Sequence, residues 1–247
     1  MTQIAVLSDI HGNRWALEAV LADIERRGIS IVFNLGDSLY GPLDPSGTAD
    51  LLCSVNILSV SGNQDRSIIE TLQDEKRHDT MQHVIDSLAV AHLNWLRSLK
   101  ALEKWNEDIL LFHGTPGNDE TYLLHHVTSG GIVQCPPTQL MLLLEEREEH
   151  LFLCGHDHLP AMVRLENGKT IINPGSVGLP AYQDDEPWPH IIENGNPEAV
   201  YAVLTGESSE WDAAFVHIPY DYMKASDTAS ANDRPDWAFW LKYGRAR

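Results

Sequence analysis

Basic residues are scarce in this chain: 17 lysines and arginines stand against 36 aspartates and glutamates, a formal net charge of -19. Such a surface repels long polyanions and lacks the counterion-release term behind most nucleic-acid affinity, so no nucleic-acid polymer is expected as a partner. Cysteine is as sparse. Cys53, Cys135 and Cys154 are odd in number and widely spaced, which argues against a disulfide framework or a cysteine zinc cluster and for reduced thiols. No run approaches the ~20 apolar residues that span a bilayer, and MTQIAVLSDIHG opens with neither a basic region nor a leader-length apolar core. The expectation is a soluble, cytoplasmic protein with no membrane partner. Repeats and low-complexity tracts are absent too, and 247 residues suffice for one domain, 1–247, with a substantial core.

Short apolar runs alternate with helical spacing. QIAVLS (3–8) reads as a buried strand, and Leu17, Val20, Leu21 and Ile24 keep the 3.6-residue period up to a stop at Gly28. IVFNLGD (31–37) is the next strand, so the order strand, helix, strand predicts a parallel crossover unit. ILSVSGN (57–63), DILLFHG (108–114) and LFLCGHDH (151–158) repeat the theme of an apolar strand running into a polar turn. Helices are expected over 80–99, with His92 on the packing stripe, and over 138–149. MVRLENGKTIIN predicts a hairpin at Asn-Gly, and AVYAVLTG with EWDAAFVHIPY predicts two further antiparallel strands. Residues 182–197 read as an ordered loop, and 224–247 as a mobile or appended C-terminal tail.

Chemistry gathers where these strands end. Asp9, His11, Asp37, Asn63, His113, His156 and His158 each follow an apolar run, and in an α/β sheet the carboxyl ends of strands meet at one edge where ligands bind. Carboxylates, imidazoles and one amide make a mixed oxygen and nitrogen shell. It suits Mn, Fe, Co, Ni or Zn better than Ca or Mg. Seven donors exceed the needs of one ion, whereas two ions sharing a carboxylate would use them all and could clamp the oxygens of a phosphoryl transfer.

The ordered set DIHGN, LGD, GNQD, HG and GHDH resembles the motifs of the calcineurin-like metallophosphoesterase superfamily, and the later NPGSVG is similar to its compact bacterial phosphodiesterase branch. The resemblance covers roughly residues 1–180; the last thirty residues match nothing in it. It implies a β-sandwich of two mixed sheets flanked by helices, with the metals at the C-terminal ends of the strands. It also implies that Asp9, His11, Asp37 and His158 hold one divalent ion, while Asp37 bridges to a second held by Asn63, His113 and His156, manganese being the expected metal. On this resemblance a metal-bridging hydroxide attacks phosphorus, and Asn63 helps neutralise the developing charge. Gly12, Gly36, Gly62, Gly114 and Gly155 would let backbone approach the ions.

Two positions depart from the family. Gln64 stands where many members have the histidine credited with helping the leaving oxygen, and a neutral amide can hydrogen-bond a phosphate but not protonate an alkoxide. Small phosphodiesters or activated esters are therefore expected as substrates, with a phosphomonoesterase or a non-catalytic scaffold of the same fold as alternatives. Ala181 stands where many relatives place an arginine able to grip phosphate. Asp65 is expected to orient a neighbour of the site. Arg14 is a candidate phosphate contact, and His190 a candidate replacement acid. His125 and His126 in YLLHHV are expected on a surface helix or mobile cap, pointing different ways.

Overall fold

Alternation along the strands assigns side chains to layers. The computed structural model describes residues 1–207 and 210–246. In β1 (Thr2–Leu7), Ile4 and Val6 pack with Ile109, Leu111, Leu151 and Leu153 of the opposite sheet, while Ala5 and Leu7 face the other way, toward Leu17 and Val20 of α1 (Arg14–Arg27). The first sheet orders β14 (Glu210–Ile218), β13 (Ala199–Glu207), β1, β2 (Ile31–Asn34) and β3 (Leu58–Ser59). Here β1, β2 and β3 run parallel, and β13 returns antiparallel beside β1.

The second sheet orders β4 (Leu102–Trp105), β5 (Ile109–Phe112), β8 (Leu151–Leu153), β10 (Thr170–Asn173) and β9 (Ala161–Arg164). Its central three strands are parallel and its edge strands antiparallel. Leu110, Phe112, Phe152 and Ile171 turn outward onto Leu140 of α6 (Pro137–Leu143). Both sheets are thus mixed, packed on one another and covered by helices, the sandwich that the family resemblance implies. Strands buried on both faces read as continuous apolar runs, which is why they were legible.

The helices α2 (Pro45–Ser54), α3 (Asn63–Glu70), α4 (Asp79–Ser87) and α5 (Val90–Ser98) complete the outer layer on the first sheet. The single helix expected over 80–99 is broken at Leu88 and Ala89, both extended. Met81, Val84 and Leu96 still reach one core, so a continuous stripe was mistaken for a continuous helix. His92 is buried as expected. Its Nδ1 accepts from the Ala89 N–H at 3.2 Å and its Nε2 lies 2.9 Å from Asp50, which makes it the cap of α5. Reduced thiols also stand: all three cysteines are free, Cys135 and Cys154 buried and Cys53 exposed.

Three further segments differ from expectation. YLLHHV is no helix: His125–Thr128 is β6, paired with β7 (Gly131–Gln134) across a Ser-Gly-Gly turn in which Gly131 takes φ 105°. Val127, Thr128, Ile132 and Val133 are the β-branched signal for it. Within 182–197, β11 (Ala181–Asp184) and β12 (His190–Glu193) form a second small hairpin. The C-terminal residues form α7 (Tyr222–Ala231) and α8 (Pro235–Tyr243). Small Ala225 and Ala229 of α7 admit Trp237, Ala238 and Leu241 of α8, which pack on Leu179 and Ala181. Among the described residues no helix is long and apolar enough to cross a membrane.

Candidate metal centre

All seven expected donors follow the C-terminal ends of parallel strands, six on turns and Asn63 at the start of α3, and these segments are sewn together by backbone. Asp9 N–H donates to the Gly36 carbonyl at 3.0 Å, His11 N–H to that of Asp37 at 2.9 Å, and Gly155 N–H to that of His113 at 2.7 Å. The NPGSVG segment closes the back: Ser176 Oγ donates to the Asp9 carbonyl at 2.8 Å, and Gly178 N–H reaches the same oxygen at 3.0 Å. Asp9, His11, Asp37, His156 and His158 all have left-handed backbones, with φ between 52° and 75°. Side chains rarely adopt that conformation without compensation, and such strain concentrates at functional sites.

Crowding explains the glycines between the donors. A Cβ on Gly62 would lie 2.1 Å from Asp37 Oδ1, and one on Gly155 would lie 2.0 Å from Ser8 Oγ and 2.9 Å from Asp9 Oδ2. Both positions must therefore lack a side chain for the carboxylates to sit where they do.

The donor atoms fall into two groups, Asp9 with His11 and His158, and Asp37 with His113 and His156, each with its ligand atoms within 4.8 Å of one another. His11, His113 and His158 each turn Nδ1 to a backbone carbonyl, of Tyr40 at 3.1 Å, Leu35 at 2.8 Å and Leu179 at 2.7 Å. That fixes the tautomer and leaves Nε2 as a lone-pair donor facing its group. His11 Nε2 and His158 Nε2 then confront one another at 3.1 Å. Asp9 Oδ1, Asn63 Oδ1 and His113 Nε2 are buried with no hydrogen-bond partner. Buried polar atoms are ordinarily satisfied, so the orphans and the apposed lone pairs fit a divalent cation in each group.

Electrostatics reads the same way. Burial would neutralise Asp9, but His158, His113 and His11 around it hold its carboxyl well below the usual carboxylate range. Burial likewise opposes ionisation of Asp37 as the largest single effect, and the charge and hydrogen bond of His113 together with the charge of His11 outweigh it, lowering that group too. His113, 3.4 Å from Asp37 and 3.9 Å from Asp9, is pushed up to about 10 by these carboxylates in spite of its burial. Burial, with His158 second, pulls His11 down to about 4. Two carboxylates buried this closely need a cation, and without a metal the proton on His113 supplies it.

The groups open into a cleft of about 210 Å³ that also touches Asn63 and Gln64. Gln64 lines it with Oε1 buried and unpartnered, while the Gln64 N–H donates to Asp37 Oδ1 at 2.9 Å. Asp65 faces inward instead: it accepts from Ser38 N–H at 2.9 Å and Gly62 N–H at 3.2 Å, tying the Asp37 turn to the start of α3. Burial and the neighbouring Asp37 push its carboxyl up to about 7. Arg14 is not brought into the cleft lining. It is paired with Glu18 and Asp44 instead. His190 sits one layer behind, its Nε2 3.0 Å from Tyr122 Oη, which in turn meets Tyr182 Oη at 2.5 Å.

Residues that sequence reasoning missed complete the cleft. Tyr122 packs at a tilt against His156 and Tyr182 edge-on against His158, with ring centroids 4.7 and 4.6 Å apart. Arg234, just before α8, and Trp237 and Trp240 of α8 also line the opening, and Trp237 meets His11 edge-on at 5.8 Å. Nothing in a helical stripe of tryptophans distinguishes a cleft wall from a core face. Ala181 is fully buried beneath α8, so an arginine there would have no room.

A two-sheet α/β sandwich with two candidate metal-binding groups at one sheet edge defines the class, that of a metallophosphoesterase-type fold. The chain belongs to the calcineurin-like phosphoesterase superfamily, whose domain matches residues 2–191. An uncharacterised protein of Methanocaldococcus jannaschii is 27% identical over 96% of this chain and 95% of its own length. Among solved structures, a metallophosphoesterase from Sphaerobacter thermophilus superposes with a TM-score of 0.78 at 24% identity, over 98% of this chain and 99% of that one. A hypothetical protein from Pyrococcus horikoshii OT3 superposes with a TM-score of 0.71 at 20% identity, over the full length of both. Both matches extend through the C-terminal helices that lie beyond the family domain.

Proposed function

We propose that this protein is a two-metal phosphodiesterase acting on a small phosphodiester. The observation that carries this reading is the orphaned donor set, with Asp9 Oδ1, Asn63 Oδ1 and His113 Nε2 buried beside two triads and unsatisfied by protein. Asp9, His11 and His158 would hold one ion, and His113, His156 and Asn63 the other, with Asp37 between them. Two divalent ions, manganese the expected pair, would supply Lewis acidity, activate water and offset charge on the phosphoryl oxygens.

The chain's own residues then position the substrate. Asn63 and the Gln64 amide offer polar contacts to phosphoryl oxygens, and the aromatic walls exclude water around them. With glutamine at position 64, no imidazole stands there to protonate the departing oxygen. Esters whose leaving group needs little protonation are favoured, which means activated diesters over alkyl monoesters. The acidic surface and the small cleft suit a small phosphoester, not a nucleic-acid polymer or a membrane.

With Mn²⁺ added, the purified protein should hydrolyse bis-p-nitrophenyl phosphate faster than p-nitrophenyl phosphate, and Asp37→Ala or His156→Ala should abolish turnover. Elemental analysis should find two metal equivalents. Protein that holds two equivalents and turns over neither ester would be a binding scaffold of this fold instead.

A further inference from the structure

α3 carries one basic residue, Arg66, three positions after Asn63, and the run Asn118, Asp119 and Glu120 lies soon after His113. The fold brings them together. Arg66 Nε donates to Asp119 Oδ2 at 2.9 Å and Nη2 to Asp119 Oδ1 at 3.0 Å, a two-pronged pair, and Nη2 also donates to Glu120 Oε1 at 2.8 Å. Nη1 donates to Glu70 at 2.9 Å within the helix. Among the described residues, every hydrogen bond between α3 and residues 114–121 is made by Arg66. Because α3 follows β3 of the first sheet and the loop follows β5 of the second, this one guanidinium joins the two sheets beside the metal groups. Arg66 lines neither the cleft nor the larger cavity of about 580 Å³ that meets it at Asn63 and His156, so it is placed to hold side chains and not ligand.

The loop is braced so as to transmit that grip. Thr115 N–H donates to the Asn118 carbonyl at 2.8 Å, and Glu120 N–H to Asn118 Oδ1 at 2.7 Å. A Cβ on Gly114 would lie 2.7 Å from the Asn118 carbonyl oxygen and 2.8 Å from that of Thr121, so the loop folds directly onto the residue after His113. At its far end Tyr122 packs against His156. Burial lowers the His156 imidazole, and a hydrogen bond to the Glu120 backbone is among the effects that oppose it. Asn63, His113 and His156 thus lie on, or against, the two segments that Arg66 joins. His11 and His158 are oriented instead by the Tyr40 and Leu179 carbonyls.

We propose that Arg66 is a positioning residue for the second ion: its fork on Asp119 and Glu120 sets Asn63, His113 and His156 in mutual register, while the first group forms without it. The proposal rests on the two-metal reading for the ion itself. A guanidinium fork fits a carboxylate in a defined orientation, which a point charge does not impose. Partners one step behind metal ligands set affinity by about 10- to 100-fold.

The test titrates Mn²⁺ into metal-free protein by calorimetry and records the electron paramagnetic resonance of the loaded samples. Wild-type protein should bind two equivalents and show a spin-coupled pair. Arg66→Ala, and the milder Asp119→Asn, should keep one equivalent at wild-type affinity, which also reports an intact fold, and weaken the other about 10-fold or more. Metal concentrations that fill both wild-type sites should then give the hyperfine-split signal of an isolated ion. Glu70→Ala, which removes only the partner on Arg66's own helix, should change neither reading. Arg66→Ala combined with Asp119→Ala should weaken the second ion no more than either alone, as two ends of one contact do. An unchanged second ion, equal weakening of both ions, or additive losses in the double variant would overturn the role and leave the two-metal reading standing. Wild-type protein that binds fewer than two equivalents would overturn that reading and the role with it.

Discussion

Asn173 Nδ2 donates to Asp157 Oδ1 at 2.7 Å, and this bond turns the residue between the two histidines of GHDH away from the metal groups. The other carboxylate oxygen of Asp157 meets His125 Nδ1 at 2.8 Å, and Oδ1 also accepts from Leu159 N–H at 3.1 Å. Asp157 thus holds the loop that aims His156 and His158 while belonging to neither donor group. Partners of this kind typically set ligand orientation at a cost of 10- to 100-fold in affinity when removed. Asp157→Ala should lower Mn²⁺ affinity by roughly that factor, with both histidines intact, in a calorimetric metal titration. Unchanged affinity would make Asp157 a packing residue only.

Gly62 and Gly28 separate steric from conformational demands. Gly62 has an ordinary φ of -88°, yet a Cβ there would meet Asp37 Oδ1 at 2.1 Å and Asp37 N at 2.5 Å. Gly28 has φ 70° and nothing within 4 Å of a Cβ. Gly62→Ala should therefore displace Asp37 and cost most of the metal binding, while Gly28→Ala should keep the metals and lose only ~1–2 kcal/mol of stability to left-handed strain. Elemental analysis and thermal melts of the two variants check the contrast.

Protonation of the two groups pulls in opposite directions in the metal-free protein. His113 is raised from 6.5 to about 10, so its contribution to stability is complete below pH 6.5 and is lost as pH climbs through about 10. His11 is lowered from 6.5 to about 4, so the unfolded chain takes its proton first and stability declines as pH falls from 6.5 toward 4. Asp65, raised from 3.8 to about 7, opposes the His11 effect over that range, so the melting temperature without metal should show chiefly the fall above pH 6.5 that His113 causes. His113→Gln should remove the alkaline fall. Because a cation replaces the His113 proton, Mn²⁺ should also remove it and release about one proton per protein at pH 8.

Gln64 is the simplest place to change the chemistry. Gln64→His puts an imidazole on the cleft floor beside Asn63, and a positioned acid contributes about 100-fold or more where leaving-group protonation limits the rate. The gain should be at least ~10-fold larger on phenyl phosphate than on p-nitrophenyl phosphate, whose leaving group needs no proton. A uniform change on both esters would show that position 64 only shapes the cleft.

Much of this was legible in the chain because the signals are local. The buried parallel strands appear as apolar runs, and each donor follows its strand by one to five residues, so Asp9, His11, Asp37, Asn63, His113, His156 and His158 could be named before any geometry. The hairpin at Asn167-Gly168 and the long antiparallel pair β13 and β14 were equally visible. What escaped were segments whose periodicity is ambiguous: the break between α4 and α5, the hairpin at His125 and His126, and the strands within 182–197.

By itself the sequence determined which atoms can ligate and that glutamine replaces a histidine among them, since residue type and distance from a strand end are properties of the chain. Tertiary structure alone decided the rest. It divided the donors into two groups, turned Asp157 and Asp65 away from the cleft, left Arg14 outside it, and brought Arg234, Trp237 and Trp240 across to wall the opening. Those outcomes depend on packing between segments as much as two hundred residues apart or more, such as α8 over Ala181 and beside His11, and no local period encodes which face of a helix such a contact will claim.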